Sequence, residues 1–195
     1  MGALRCEDTG CLEGTAPRQI PDRVAGSGQV VVRDRVHGMA FVGAFAELAA
    51  VIQAQLTKPP DDLPYKYACL AGVPYRTAYD ALFTTAGLRP GEDLVVLGAS
   101  GAVGSGAVAI GEALGARVIA CASSPAKLEF CRKTGADEAV SYSESRFKET
   151  LKELTGGGAD VVLDMVGGEY SEPALCATGY GGILELLLEG PRPWR

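Results

Sequence analysis

One histidine, His37, is the only imidazole in 195 residues, and the six cysteines, at 6, 11, 69, 121, 131 and 176, include no C-x-x-C pair. A tetrahedral zinc site draws several thiolate or imidazole ligands from characteristic close spacings, so these shortages exclude the usual zinc motifs. His37 reads as a strand or loop residue and not as a base. Positive charge is also scarce: 18 Lys and Arg stand against 24 Asp and Glu, a net charge of −6, and a field of that sign repels nucleic acid and anionic lipid. Aromatic residues make up only 7% and no basic run is clustered, so neither a nucleic-acid nor a membrane partner is expected. Met1 to Thr15 lacks the basic start and apolar core of a signal peptide. A cytoplasmic protein is therefore expected, with a mitochondrial location left open.

Long charge-free runs are limited to one, Leu94 to Gly111. Its eighteen residues approach the lower length of a membrane-spanning helix. Five of them are glycine and Ser100 and Ser105 add hydroxyls, which gain little in lipid and weaken a helix. A better division is strand, turn and helix. Leu94-Val95-Val96-Leu97 suits a strand buried on both faces, whereas Val103, Ala107, Ile110 and Leu114 recur at helical spacing. Between them Gly98, Gly101 and Gly104 form G-x-x-G-x-x-G. A glycine turn feeding a helix points free amides and the positive helix end at an anion. With a second strand from Val118 to Cys121, the unit is a βαβ of about thirty residues, the form of a dinucleotide pyrophosphate site. Such turns also occur without ligands, and the spacing is not the G-x-G-x-x-G of the standard fingerprint.

From Leu94 onward, strands are expected to begin near Leu94, Val118, Ala139, Val161 and Ile183, each followed by a short helix. That alternation predicts an α/β fold, a doubly wound parallel Rossmann sheet with right-handed crossovers. Ser124-Pro125 reads as a helix start and Gly135 as its end. The next helix carries Phe147, Leu151 and Leu154 on one face, with Glu144 and Lys148 paired outside, and stops at Gly156-Gly157-Gly158. Asp164 falls at the carboxyl end of a buried strand, where ligands sit in this fold and where acids also serve as acceptors for backbone N–H groups. Cys121 and Cys131 fall in an expected strand and helix and read as reduced core residues. Earlier in the chain, Phe41 to Val51 fits a strand or a helix, Lys58 to Pro64 is a loop, and Cys69 to Phe83 is a helical connector with a proline near its start. Residues 1–29 show no periodicity and are expected to be disordered or foreign to the rest of the fold.

GLRPGEDLVVLG, LGASGAVGSGAVAIGEALGARVIACASSPAK, the tyrosine of AVSYSES and DVVLDMVGG occur in one order. Together with the connector CLAGVPYRTAYDAL and the stretch RDRVHGMAFVGAFAELAAV, they resemble a zinc-free medium-chain dehydrogenase/reductase of the quinone oxidoreductase and zeta-crystallin branch. The resemblance covers about residues 30–182. It implies a remnant of a β-rich, GroES-like catalytic domain at 30–66, a helical connector at 67–90 and a dinucleotide-binding domain at 91–190. It further implies hydride transfer from NADPH to a small-molecule quinone or activated alkene (an enone). Gly101, Ala102, Val103 and Gly104 would meet the pyrophosphate through their backbone, and Ser123, Lys127 and Tyr142 would lie at the adenosine 2′-phosphate. Thr77, with Tyr79 beside it, and Val166 and Gly167 would lie near the nicotinamide. Relatives commonly form homo-oligomers. No metal and no catalytic side chain is assigned.

The cofactor choice has a physical argument of its own. NAD-selective sites place an acid at the end of the second strand, where it accepts from the ribose 2′-OH and would repel a phosphate. Here that position is Ala122 or Ser123, and Lys127 follows within the first helical turn. Arg117 starts the strand and so points away from that edge. The alternative for Lys127 is an ordinary solvated helix residue.

The chain also departs from the pattern. The family's G-V-N-x-x-D segment is absent, and the run Ile183 to Glu189 leads into GPRPWR. Glu185 would fall in a buried strand, where an unpaired carboxylate costs several kcal/mol. These departures make a truncated product the expectation, with a non-catalytic NADPH-binding module or an inactive fragment as the alternatives to an enzyme.

Overall fold

The computed structural model describes residues 2–6, 15–19, 27, 29–32, 36, 38, 49–143 and 146–187. His37, Cys11, Glu144 and residues 41–48 lie outside them, and with them the expectations placed there. The chain divides into two compact units, Met1–Gly72 and Val73–Arg195.

In the first unit, β1 (Gly2–Cys6) pairs antiparallel with β2 (Thr15–Gln19), and β3 (Gln29–Val32) with β4 (Ala49–Ile52). The hairpin of β1 and β2 lies within 1–29, for which the sequence pattern predicts no regular structure. Backbone pairing alone makes such a ladder, and it needs no alternation of side chains. Lys58 to Pro64 is turn and coil, leading into the single turn α1 (Tyr65–Ala68).

The second unit opens with α2 (Pro74–Tyr79), which has its proline in the first turn and continues as a π-helix over Asp80–Thr85. Then strand and helix alternate: β5 (Asp93–Leu97), α3 (Ala102–Leu114), β6 (Arg117–Ala122), α4 (Pro125–Thr134), β7 (Glu138–Ser141), α5 (Phe147–Leu154), β8 (Ala159–Asp164), α6 (Ser171–Ala177) and β9 (Thr178–Leu186). The sheet order is β7-β6-β5-β8-β9 and every pairing is parallel. The winding reverses between β5 and β8, leaving a crevice at their carboxyl ends where the connections leave in opposite directions.

Burial follows the two-residue period of the strands. Leu94, Val96, Val118, Ala120 and Leu163 face one core with Leu82, Ala107, Val108 and Cys131. Val95, Leu97, Ile119, Cys121 and Val162 face the other with Phe147, Leu151, Ala174 and Ala177. Helices cover both sides, so the middle residues of the central strands, Leu94–Leu97, Val118–Ala122 and Val161–Leu163, are apolar on both faces. Cys121 and Cys131 are free and buried, and burial pushes both thiols up. Both are therefore poor nucleophiles. Ser124 is the extended residue before Pro125, and α4 closes at Gly135.

Glu185 requires a correction. Its strand is half-buried and not sealed, because β9 ends the order of described strands and pairs with β8 alone. Leu184 turns inward to the second core, while Glu185 lines an open cleft on the other face. The expected conflict arose from reading an apolar run as an interior strand. Replacing Glu185 with valine should change unfolding stability by less than about 1 kcal/mol, measured as a urea midpoint at unchanged slope.

Candidate functional site

After Leu97 the backbone bends at Gly98, whose φ of 69° lies in the left-handed region that glycine adopts without strain. The Gly101 amide donates to the Gly98 carbonyl at 2.9 Å and closes the turn, and the Ala99 amide donates to the Cys121 carbonyl at 3.1 Å, fixing the turn to β6. Gly101 caps α3 in an extended conformation and brings no side chain to compete for the helix's first amides. The Ser105 N–H donates to the Gly101 carbonyl at 2.8 Å. The N–H groups of Ala102, Val103 and Gly104 precede the first helical acceptor and so have none within the helix. Gly101 and Ala102 are exposed, leaving this positive helix end open to an anion.

Gly104 has a second function. A Cβ there would overlap the Gly98 carbonyl oxygen and lie 2.7 Å from the Ala99 Cα, whereas one at Gly101 would meet only the Gly98 oxygen, at 3.2 Å. Gly104 thus lets α3 approach the turn closely.

At the end of β6, the Lys127 ammonium donates to the Ser123 hydroxyl at 3.2 Å, and both side chains are exposed. Arg117, at the other end of the strand, donates to the Asp93 carboxylate at 3.3 Å and to the Leu154 carbonyl at 2.7 Å. It belongs to the amino edge, as its place in the sequence implies. Ser141, at the end of β7, is level with Ala122, so Tyr142 follows at the same edge as Ser123. The Tyr142 ring is half-buried, 4.7 Å from Tyr170 and 6.4 Å from Phe147 between centroids.

β8 delivers a buried carboxylate. Asp164 is fully buried and accepts from the Val166 amide at 2.8 Å, the Gly167 amide at 2.9 Å and the Ser171 hydroxyl at 2.6 Å. The acid therefore serves as an acceptor that folds the loop after β8 back on itself. Val166 stands against the glycine turn: a Cβ at Gly98 would be 3.1 Å from its Cγ2. Thr77 lines a cleft of about 400 Å³ together with Arg76, Tyr79, Asp80, Glu185 and Leu187. That cleft lies beside the end of β9, where the Leu187 amide donates to the Asp164 carbonyl at 2.8 Å.

The carboxyl edge of one sheet thus brings together the glycine turn, Ser123 with Lys127, Tyr142, and Val166 with Gly167. Sequence reasoning missed Ser171 and Tyr170, which have no local signal, and the second function of Gly104.

A family model described as zinc-binding dehydrogenase matches residues 102–186. Quinone oxidoreductase-like protein 2 of Bos taurus is 36% identical over 156 residues, covering 79% of this chain and 45% of that protein. The quinone oxidoreductase of Thermus thermophilus, solved also in complex with NADPH, is 30% identical with a TM-score of 0.77, over 94% of this chain and 72% of that one. The chain belongs to the quinone oxidoreductase branch of the medium-chain dehydrogenase/reductase family. A mycobacterial structure complexed with NADPH shares the fold, with a TM-score of 0.86 at 23% identity over 100% of this chain and 76% of that one. This quinone oxidoreductase relative spans about half the length of the curated proteins it matches. Among its described residues no group of three His, Cys, Asp or Glu side chains could hold a metal ion, and no described helix is long and apolar enough to cross a membrane.

Proposed function

We propose that this chain binds NADPH along the carboxyl edge of its parallel sheet and takes part in hydride transfer to a small quinone or another activated alkene. The observation that carries the reading is the pairing of Lys127 with Ser123 at the end of β6, where an NAD-selective site would place an acid. The residues fit the cofactor in a second respect. The start of α3 presents three amides without helical acceptors beside an exposed glycine, a cradle that a side chain at position 101 would narrow.

On this reading the amides of Ala102, Val103 and Gly104 hold the pyrophosphate. The Lys127 ammonium and Ser123 hydroxyl hold the 2′-phosphate, and the loop at Val166 and Gly167 supports the nicotinamide ribose. Thr77 lines the neighbouring cleft at the nicotinamide end. When bound, the dihydronicotinamide supplies the hydride. A quinone is already electrophilic, so orienting it accounts for much of the chemistry, with a proton from water or a nearby hydroxyl. A second reading is an NADPH-binding module without turnover, because the groups named for the cofactor lie along one sheet edge and none of them is a catalytic side chain.

Titration by calorimetry separates these readings from a ligand-free fold. Lys127→Ala should weaken NADPH about tenfold, the worth of one charge-assisted contact, and leave NADH unchanged. Equal loss for both coenzymes, or none for either, would remove Lys127 from the 2′-phosphate. Quinone-dependent oxidation of NADPH by the wild type distinguishes the enzyme from the module.

A further inference from the structure

Tyr142 sits at the sheet edge beside Ser123, since Ser141 and Ala122 are in register and neighbouring strands are about 4.8 Å apart. A tyrosine there needs a fixed ring if its hydroxyl is to meet one phosphate oxygen. Two rings contact it, Phe147 edge-on at 6.4 Å and Tyr170 tilted at 4.7 Å. Phe147 is buried in the second core, but Tyr170 comes from the loop after β8. That loop is the one Asp164 fastens: Ser171, next in sequence to Tyr170, donates to its carboxylate, as do the Val166 and Gly167 amides. A single buried acid therefore sets the position of Val166, at the glycine turn, and of Tyr170, against Tyr142.

We propose that Tyr170 is a positioning residue for cofactor selection, holding the Tyr142 ring so that its hydroxyl donates to the adenosine 2′-phosphate beside Ser123 and Lys127. The proposal rests on the NADPH reading above. It makes the preference for a phosphorylated adenosine depend on a loop from β8 as well as on β6 and α4. A ring in the 170 position is what matters, and the Tyr170 hydroxyl is not used.

The test is calorimetric titration with NADPH and with NADH of the wild type, Tyr142→Phe, Tyr170→Phe, Tyr170→Leu and the double variant Tyr142→Phe/Tyr170→Leu. Tyr142→Phe and Tyr170→Leu should each weaken NADPH about fivefold to tenfold, as for one hydrogen bond to a charged group, without moving NADH. Tyr170→Phe should bind both coenzymes like the wild type. The double variant should lose no more than either single one, because both remove the same contact. A merely structural role for Tyr170 would lower both affinities together. A wild type that prefers NADPH, with a Tyr170→Leu variant that keeps the full preference or additive losses in the double variant, overturns this proposal alone. A wild type without any preference overturns the underlying reading as well. If Tyr170→Leu does not fold, Tyr142→Phe with an undiminished NADPH preference is enough to reject the proposal.

Discussion

Gly104→Ala should lower unfolding stability by about 3 kcal/mol, at the upper end for overpacking, and the melting temperature by on the order of 10 °C. The added methyl would overlap the Gly98 carbonyl oxygen and stand 2.7 Å from the Ala99 Cα. Both are backbone atoms, so no rotamer change relieves the overlap. Either α3 moves out or the turn opens, and the turn is fixed at both ends, by the Gly101 to Gly98 bond and by the Ala99 to Cys121 bond. Whichever gives way, the three amides at the start of α3 shift relative to the end of β5. NADPH binding should fall about a hundredfold, since misplacement by a fraction of an ångström weakens several amide contacts together. Gly101→Ala supplies the contrast. Its φ of −75° and ψ of 174° suit any residue, and the nearest atom to its methyl is 3.2 Å away. That variant should unfold within about 1 kcal/mol of the wild type while binding NADPH more weakly, because the methyl narrows the exposed approach to the amides. Equal melting temperatures for the two variants would refute the division of labour between these glycines.

The sheet edge was legible because each of its parts has a local cause. An apolar run marks β5, glycines mark the bend, and Ser124-Pro125 marks the start of α4, which puts Lys127 in the first turn. The αβ alternation then implies parallel strands whose carboxyl ends share one edge. Glu185 was misread because burial of a strand depends on its place in the sheet order, which no local pattern encodes; at the end of that order an acid can face an open cleft. Ser171 was invisible for a related reason. Its hydroxyl meets Asp164 only because the chain doubles back through Gly167 and Gly168, at φ values of 70° and 66°, and that reversal is a tertiary event. The role of Gly104 was half-legible: the motif locates the glycine, but only the distance to Gly98 and Ala99 separates close packing from anion contact.

Removing the Asp164 carboxylate should have the largest effect of any single change. Asp164→Ala strands three donors, the Val166 and Gly167 amides and the Ser171 hydroxyl, around a site with no exposure to water. Unpaired buried donors cost about 1–3 kcal/mol each, less where local relaxation readmits water. Val166 is exposed and Gly167 is buried, so the loop can recover one partner from solvent more easily than the others. A loss of about 4 kcal/mol is expected, read as a lower urea midpoint at the same slope. Asp164→Asn tests whether geometry or charge matters. Its amide oxygen can still accept from the two backbone N–H groups, and the Ser171 hydroxyl can turn to accept from the amide nitrogen. About 1–2 kcal/mol should then be lost, the difference between charged and neutral acceptors. Ser171→Ala should cost a similar amount while leaving both backbone bonds intact. If Asp164→Asn proves as damaging as Asp164→Ala, the loop is held by the charge of the acid and not by its acceptor geometry, and the account of how β8 positions Val166, Gly167 and Tyr170 fails with it.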